Sequence, residues 1–193
     1  MFGIILAATS ERKQITKLAF ASKMRLIASI PVTIFTWVWK GPMEISLTTG
    51  KVPRELSLLS HLEALHIVSN RNVTATLEDM IPVELQKDVN LKSLQFWGND
   101  LISGAIPDHV WKMSHLQVFN IGGNIVEGKL DPAVGNLVNL TKLEVGSNKM
   151  TGTLPSELGA LSALTTLIVD YNLFSLALPH RSLANDQIGG TFG

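Results

Sequence analysis

Apolar residues along this chain fall into two registers that take turns. In five stretches a leading Leu is followed three and five places on by apolar residues and eight places on by Asn. These are LEALHIVSN (Leu62 to Asn70), LKSLQFWGN (Leu91 to Asn99), LQVFNIGGN (Leu116 to Asn124), LTKLEVGSN (Leu140 to Asn148) and LTTLIVDYN (Leu164 to Asn172). The paired positions, Leu65/Ile67, Leu94/Phe96, Phe119/Ile121, Leu143/Val145 and Leu167/Val169, have the period of two that predicts a short strand with one face inward. Upstream of each leading Leu, by six and three residues, stand Leu56/Leu59, Leu85/Asp88, Val110/Met113, Val134/Leu137 and Leu158/Leu161. That spacing predicts a short helical turn packing inward. Asp88 breaks the apolar column and predicts a local distortion.

The units repeat. Asn70, Asn99, Asn124, Asn148 and Asn172 are separated by 29, 25, 24 and 24 residues. A fixed period of this size predicts a solenoid, in which each coil buries its apolar residues only against its neighbours. An amide both donates and accepts, so the Asn column predicts a buried structural ladder that holds main-chain groups where each coil leaves its strand. Gly104, Gly128 and Gly152 follow at the next turn, where backbone freedom is useful, and Leu176 stands at the equivalent place in the last copy. Val52-Pro53, Ile81-Pro82, Ile106-Pro107, Leu154-Pro155 and Leu178-Pro179 come next, with Leu130-Asp131 as the variant. The step from that Pro or Asp to the next leading Leu is constant, so the extra length of the first interval lies in RNVTATLEDM (Arg71 to Met80). The expectation there is a loop bulging from a regular coil.

The combined pattern L-x-x-L-x-L-x-x-N-x-L-x-G-x-I/L-P resembles plant-type leucine-rich repeat proteins, a family that includes receptor-like kinase ectodomains and inhibitors of cell-wall enzymes. The resemblance covers about residues 45–179, and NKMTGTLPSELGALSALTTL (Asn148 to Leu167) matches especially well. It implies an α/β solenoid of about five full repeats. A parallel β-sheet would line the concave face, with short helical or 3-10 turns on the convex side. Trp39-Lys40-Gly41 matches the Trp-x-Gly element of the family's N-terminal cap, while the paired cysteines of that cap are missing. No capping sequence follows Pro179, so the resemblance implies pieces of a longer array and self-association through the C-terminal coil.

Composition changes the picture at the N-terminal side. Residues 1–51 carry seven basic side chains against Glu11 and Glu44, while the remainder carries nine basic and fourteen acidic ones, so the chain is neutral overall but polarised. Neutrality gives no reason to expect nucleic acid. Leu26 to Trp39 is uncharged and apolar, short for a membrane span of roughly 20 residues and interrupted by Pro31. Residues 1–41 therefore read as an export signal, an anchor acting through residues 26–39, or a cap. Residues 42–179 read as the repeat domain and residues 180–193 as a disordered tail. Cysteine is absent, which removes disulfides, thiol chemistry and cysteine-ligated metal and points to a reducing compartment or an incomplete chain. Extracellular or membrane-associated placement is favoured and a cytoplasmic one stays open.

Outward strand positions are the candidate binding surface. Their four columns are Ala64, Ser93, Val118, Lys142, Thr166; His66, Gln95, Asn120, Glu144, Ile168; Val68, Trp97, Gly122, Gly146, Asp170; and Ser69, Gly98, Gly123, Ser147, Tyr171. Ligand-contact candidates are Trp97, Tyr171, His66, Gln95, Asn120, Glu144 and Asp170. Trp97 leads because aromatic side chains are enriched among binding anchors. The alternative is that Trp97 folds over Gly122 and merely covers the sheet. No catalytic or kinase motif occurs: HExxH, a phosphate loop, HRD and DFG are all missing from the sequence. His66 and Glu144 share a column but lie three coils apart, roughly 14 Å at about 4.8 Å per strand, too far for acid–base work. No cofactor and no metal ligand set is expected. Asn72-Val73-Thr74 and Asn139-Leu140-Thr141 are glycosylation sequons if the chain is exported. The reading is a non-enzymatic module recognising a protein, peptide or glycan. The alternatives are a receptor-kinase ectodomain fragment and an inhibitor of a secreted wall-degrading enzyme.

Overall fold

The computed structural model describes residues 4–5, 34–38, 51–52, 54–58, 62–69 and 74–175. The leading strand of each coil lies parallel to its predecessor. The sheet runs in the order β1 (Ile4–Ile5), β2 (Ile34–Val38), β3 (Ala64–Val68), β5 (Ser93–Gln95), β7 (Val118–Asn120), β9 (Lys142–Glu144) and β11 (Thr166–Ile168). Its registers align the columns read from the sequence, with Leu65, Leu94, Phe119, Leu143 and Leu167 in one row. β2 continues the same register, Phe35 opposite Leu65 and Trp37 opposite Ile67. Five residues of the apolar N-terminal run thus belong to the sheet; the rest of that run, Trp39-Lys40-Gly41 and residues 180–193 lie outside the described residues.

Opposite the sheet, five 3-10 turns stack at Arg54–Leu58, Val83–Lys87, Asp108–Lys112, Pro132–Asn136 and Ser156–Ala160. Pro82, Pro107 and Pro155 stand at the N-caps of three of them with φ of −56°, −67° and −69°. That angle is fixed by the ring. Asp131 replaces Pro at the fourth and compensates by accepting from the Ala133 N–H at 2.7 Å, with Pro132 inside the turn. Between sheet and turns, Leu62, Leu91, Leu116, Leu140 and Leu164 are fully buried, as are the inward strand residues. Each such side chain contributes about 1.5–3 kcal/mol of burial. Trp111 and Phe119 meet edge-on at 6.4 Å, tying a turn to a strand.

The buried Asn column bridges neighbouring coils. Asn148 Nδ2 donates to Ile121 O of the previous coil and Val145 O of its own, at 2.9 and 3.0 Å, and its Oδ1 accepts from Val126 N. Asn172 repeats this with Val145 O, Val169 O and Met150 N. Asn124 donates to Phe96 O and Ile121 O, and Asn99 to Ile67 O and Phe96 O. Asn70 lies outside the described residues.

The inserted segment differs from the sequence expectation. Its described part does not bulge as a loop: β4 (Ala75–Thr76) pairs with β6 (Ile102–Ser103), and α1 (Leu77–Met80) buries Leu77 and Met80 completely. Thr76 caps α1 by accepting from Asp79 N, and its hydroxyl donates back to the Asp79 carboxylate. The reciprocal cap and the Lys51 ammonium, 2.6 Å from Asp79, fix the helix against the coil before it. That ammonium, ahead of the Thr76 bonds, holds the Asp79 carboxyl below its ordinary range. Hydrophobic residues three apart in TLEDM override the loop composition. Asp88, the gap in the apolar column, ends its 3-10 turn and accepts from Asn90 N at 3.0 Å, while burial raises its carboxyl above the usual range.

Candidate binding face

The outward residues of β3, β5, β7 and β9 form a row in which His66, Gln95, Asn120 and Glu144 stand opposite one another. The row divides into two hydrogen-bonded groups. In the first, His66 Nε2 lies 2.9 Å from Ser93 Oγ and 3.2 Å from Gln95 Nε2, and Gln95 Nε2 donates to Ser93 Oγ at 3.1 Å. The amide nitrogen has no lone pair to offer, so the ring Nε2 must accept and the proton sits on Nδ1. Burial holds the His66 pKa below its ordinary value. In the second group, Asn120 Nδ2 donates to Glu144 Oε2, Asn120 Oδ1 accepts from Gly122 N at 3.0 Å, and Lys142 Nζ lies 2.9 Å from Glu144 Oε1. Asn120 is therefore buried beneath its partners, at 8% exposure, and positions Glu144 while presenting little of itself.

Two aromatic side chains stand clear of these groups. Trp97 is 41% exposed. A Cβ placed on Gly122 would meet Asn120 Oδ1 and Gly146 O and nothing from Trp97. No Trp97 atom lies within 4 Å of that Cβ position; the Asn120 amide oxygen and Gly146 O lie 3.4 Å from it. Gly146 is different: a Cβ there would come within 2.5 Å of Asp170 Oδ1, so the Asp170 carboxylate lies over that glycine. Tyr171 is 77% exposed and has a φ of 50°. It shares that left-handed backbone with Ser69, Gly98, Gly123 and Ser147, the residues immediately before each ladder position. From the sequence this column is expected in the strands; it belongs instead to the turn that follows them, the two glycines in it being the available signal. Trp97, Gly122, Gly146 and Asp170 of the column before it also lie past the strand ends.

Other polar clusters have structural roles or stand apart. His109 is buried and donates from Nε2 to Ile81 O at 2.7 Å. A cavity of about 610 Å³ on the β4–β6 flank is lined by Thr76, Glu78, Asp108 and Lys112 among others, away from the strand row. Among the described residues, no group of three His, Asp or Glu can hold a metal ion, and no helix is long and apolar enough to cross a membrane. Asn139 is exposed, and Asn72 lies outside the described residues.

Comparison with known proteins agrees with this geometry. The Leucine Rich Repeat family profile matches residues 139–161. No curated protein sequence matches the chain at a significant level. Among solved structures, the chain is similar to the leucine-rich repeat ectodomain of the plant membrane receptor kinase GASSHO1/SCHENGEN3 from Arabidopsis thaliana, in complex with CASPARIAN STRIP INTEGRITY FACTOR 2. The identity is 33% and the TM-score 0.56, over 65% of this chain and 14% of that one. It is also similar to the plant peptide hormone receptor RGFR1 in complex with RGF2, at 25% identity and TM-score 0.57, over 64% and 19% of the two chains. A third similar structure is the ectodomain of the receptor kinase SOBIR1 from Arabidopsis thaliana, at 28% identity and TM-score 0.55, over 64% of each. The chain contains leucine-rich repeats and is similar in fold to the ectodomains of plant receptor kinases. It spans less than a fifth of the length of the first two ectodomains.

Proposed function

We propose that this chain is a non-catalytic recognition module that binds a linear peptide, or an exposed segment of a protein, along its concave face. The observation that carries the reading is the pair of exposed aromatic side chains, Trp97 and Tyr171, in the turns just past a pre-bonded polar row on a parallel sheet. Aromatic anchors supply contact area at small entropic cost, and the fixed amides and the Glu144 carboxylate beside them supply orientation. Similarity to a peptide hormone receptor in complex with RGF2 supports a peptide over a glycan. The same likeness supports an extracellular setting within a receptor-like protein. Residues 42–179 then form the recognition domain. Residues 1–41 act as a cap in preference to an anchor, a reading favoured by the pairing of β2 with β3 across five positions.

The test starts from a random linear peptide library panned on the immobilised full chain. Selected peptides are titrated calorimetrically against the wild type, Trp97→Ala and Tyr171→Ser. Each variant is expected to weaken binding about tenfold or more, the scale of a hot-spot residue. Peptides that bind both variants as tightly as the wild type overturn the aromatic assignment. Failure to enrich any peptide, with retention of oligosaccharides on a glycan array, overturns the ligand class.

A further inference from the structure

The geometry points to Asn139 as an N-glycan attachment site that is occupied whenever the chain passes through the secretory route. Three observations converge. Asn139-Leu140-Thr141 is a sequon with no Pro at its centre. Asn139 lies in the turn between the 3-10 segment Pro132–Asn136 and β9, exposed, on the rim where the convex side passes to the start of a strand. Its Nδ2 donates to Ser114 O at 2.8 Å. An N-linked sugar replaces one of the two amide hydrogens, so the remaining N–H can keep that bond and the folded coil need not give up a contact. The Thr141 hydroxyl, which the glycosylating enzyme reads in the extended chain, donates to Gln117 O at 2.9 Å once folded.

The surroundings suit a first sugar ring. The neighbouring positions of the flanking coils hold Ser114, His115, Ser162 and Ala163, and Asn139 stays exposed among them. Val138, beside Asn139, is 54% exposed, an apolar surface that the less polar face of a sugar can shelter. The site precedes β9 and lies outside the row from His66 to Glu144. A glycan there leaves Trp97 and Tyr171 free and closes the rim to other proteins.

The occurrence of this modification in the cell rests on the extracellular reading above, and the experiment separates the two. The full chain is secreted from a eukaryotic host behind an appended cleavable leader, so passage through the glycosylating compartment is imposed. Enzymatic glycan release in heavy-oxygen water, followed by peptide mass spectrometry, reads a heavy deamidation mark at Asn139. Thr141→Ser is expected to keep the mark, and Thr141→Val and Asn139→Gln to lose it, all three secreted with wild-type circular dichroism. A folded, secreted wild type that stays bare at Asn139 overturns the site. A mark at Asn139 behind the imposed leader upholds the site whatever compartment the native protein occupies, so the site and the extracellular reading stand or fall separately.

Discussion

Tyr171 is the residue whose backbone and side chain disagree most with each other. Bulky side chains seldom adopt left-handed backbone, and the cost is of order 1 kcal/mol. At the same column Gly98 and Gly123 relieve it entirely. Exposed as it is, Tyr171 recovers little of that cost by packing. Tyr171→Gly is therefore expected to raise unfolding stability by about 0.5–1 kcal/mol in urea, while weakening any concave-face ligand. A loss of stability instead would mean that the ring packs against its own coil. His66 gives a pH effect at the same scale. Its Nε2 accepts from the Gln95 amide, so protonation there sets donor against donor on that side, while the Ser93 hydroxyl can turn to accept. Neither β2 nor β5 carries a titratable residue to offset the charge. Because burial depresses the folded-state pKa below 6.5, the unfolded chain takes up the proton first. The stabilising contribution is complete above 6.5 and is lost as pH falls through the folded pKa. Urea midpoints measured from neutral pH downward should fall more steeply for the wild type than for His66→Gln, and parallel curves would remove His66 from the account.

At the scale of the coil, one extra residue has a visible consequence. In the regular coils the ladder Asn accepts at Oδ1 from the N–H two places beyond the previous ladder Asn, Val126 for Asn148 and Met150 for Asn172. Between Asn99 and Asn124 one extra residue intervenes: Asp100 has a φ of 59°, and the amide two places beyond Asn99 (Leu101 N) turns back to Asn99 O at 2.6 Å. Ile102 takes the place that Val126 holds in the next coil, Ile102 O accepting from Ile125 N as Val126 O accepts from Lys149 N. Asn124 Oδ1 is left buried without a protein partner among the described residues. Asn148→Ala should therefore destabilise more than Asn124→Ala, by about 1 kcal/mol, the net worth of one hydrogen bond. Equal losses in chemical unfolding would mean that water or a small shift completes the ladder at Asn124. The 25-residue interval was legible in the sequence, and its cost was not, because that depends on which amide hydrogen the extra residue redirects. The helix Leu77–Met80 escaped for a related reason: four residues are too few for a periodic signal, and burial of Leu77 and Met80 decides the matter.

The whole molecule is legible where neighbour-to-neighbour stacking dictates the residue, and opaque where it does not. Leu62 and Asn148 sit in columns whose residue every coil repeats, and Pro107 in one where Asp131 is the single substitute. The outward row obeys no such rule: Asn120, a ligand-contact candidate by its register, is buried and hydrogen-bonded to Glu144, while Trp97, two places past Gln95, keeps 41% exposure. Stacking has a further consequence at the end of the array. β11 is the last strand of the described sheet, and β12 (Leu173–Phe174) the last of the flanking one, which runs from β8 (Glu127–Lys129) through β10 (Lys149–Gly152). Leu173, in β12, is 66% exposed, next to the Tyr171 turn. An apolar side chain on an outer parallel strand invites pairing with another chain unless a charge or Pro blunts it. The weight-average mass of the full chain by light scattering should therefore rise with concentration. Leu173→Lys should flatten that rise with the circular dichroism unchanged, since the position buries little. A wild-type mass that stays at one chain up to the highest soluble concentration would show that this strand is already covered.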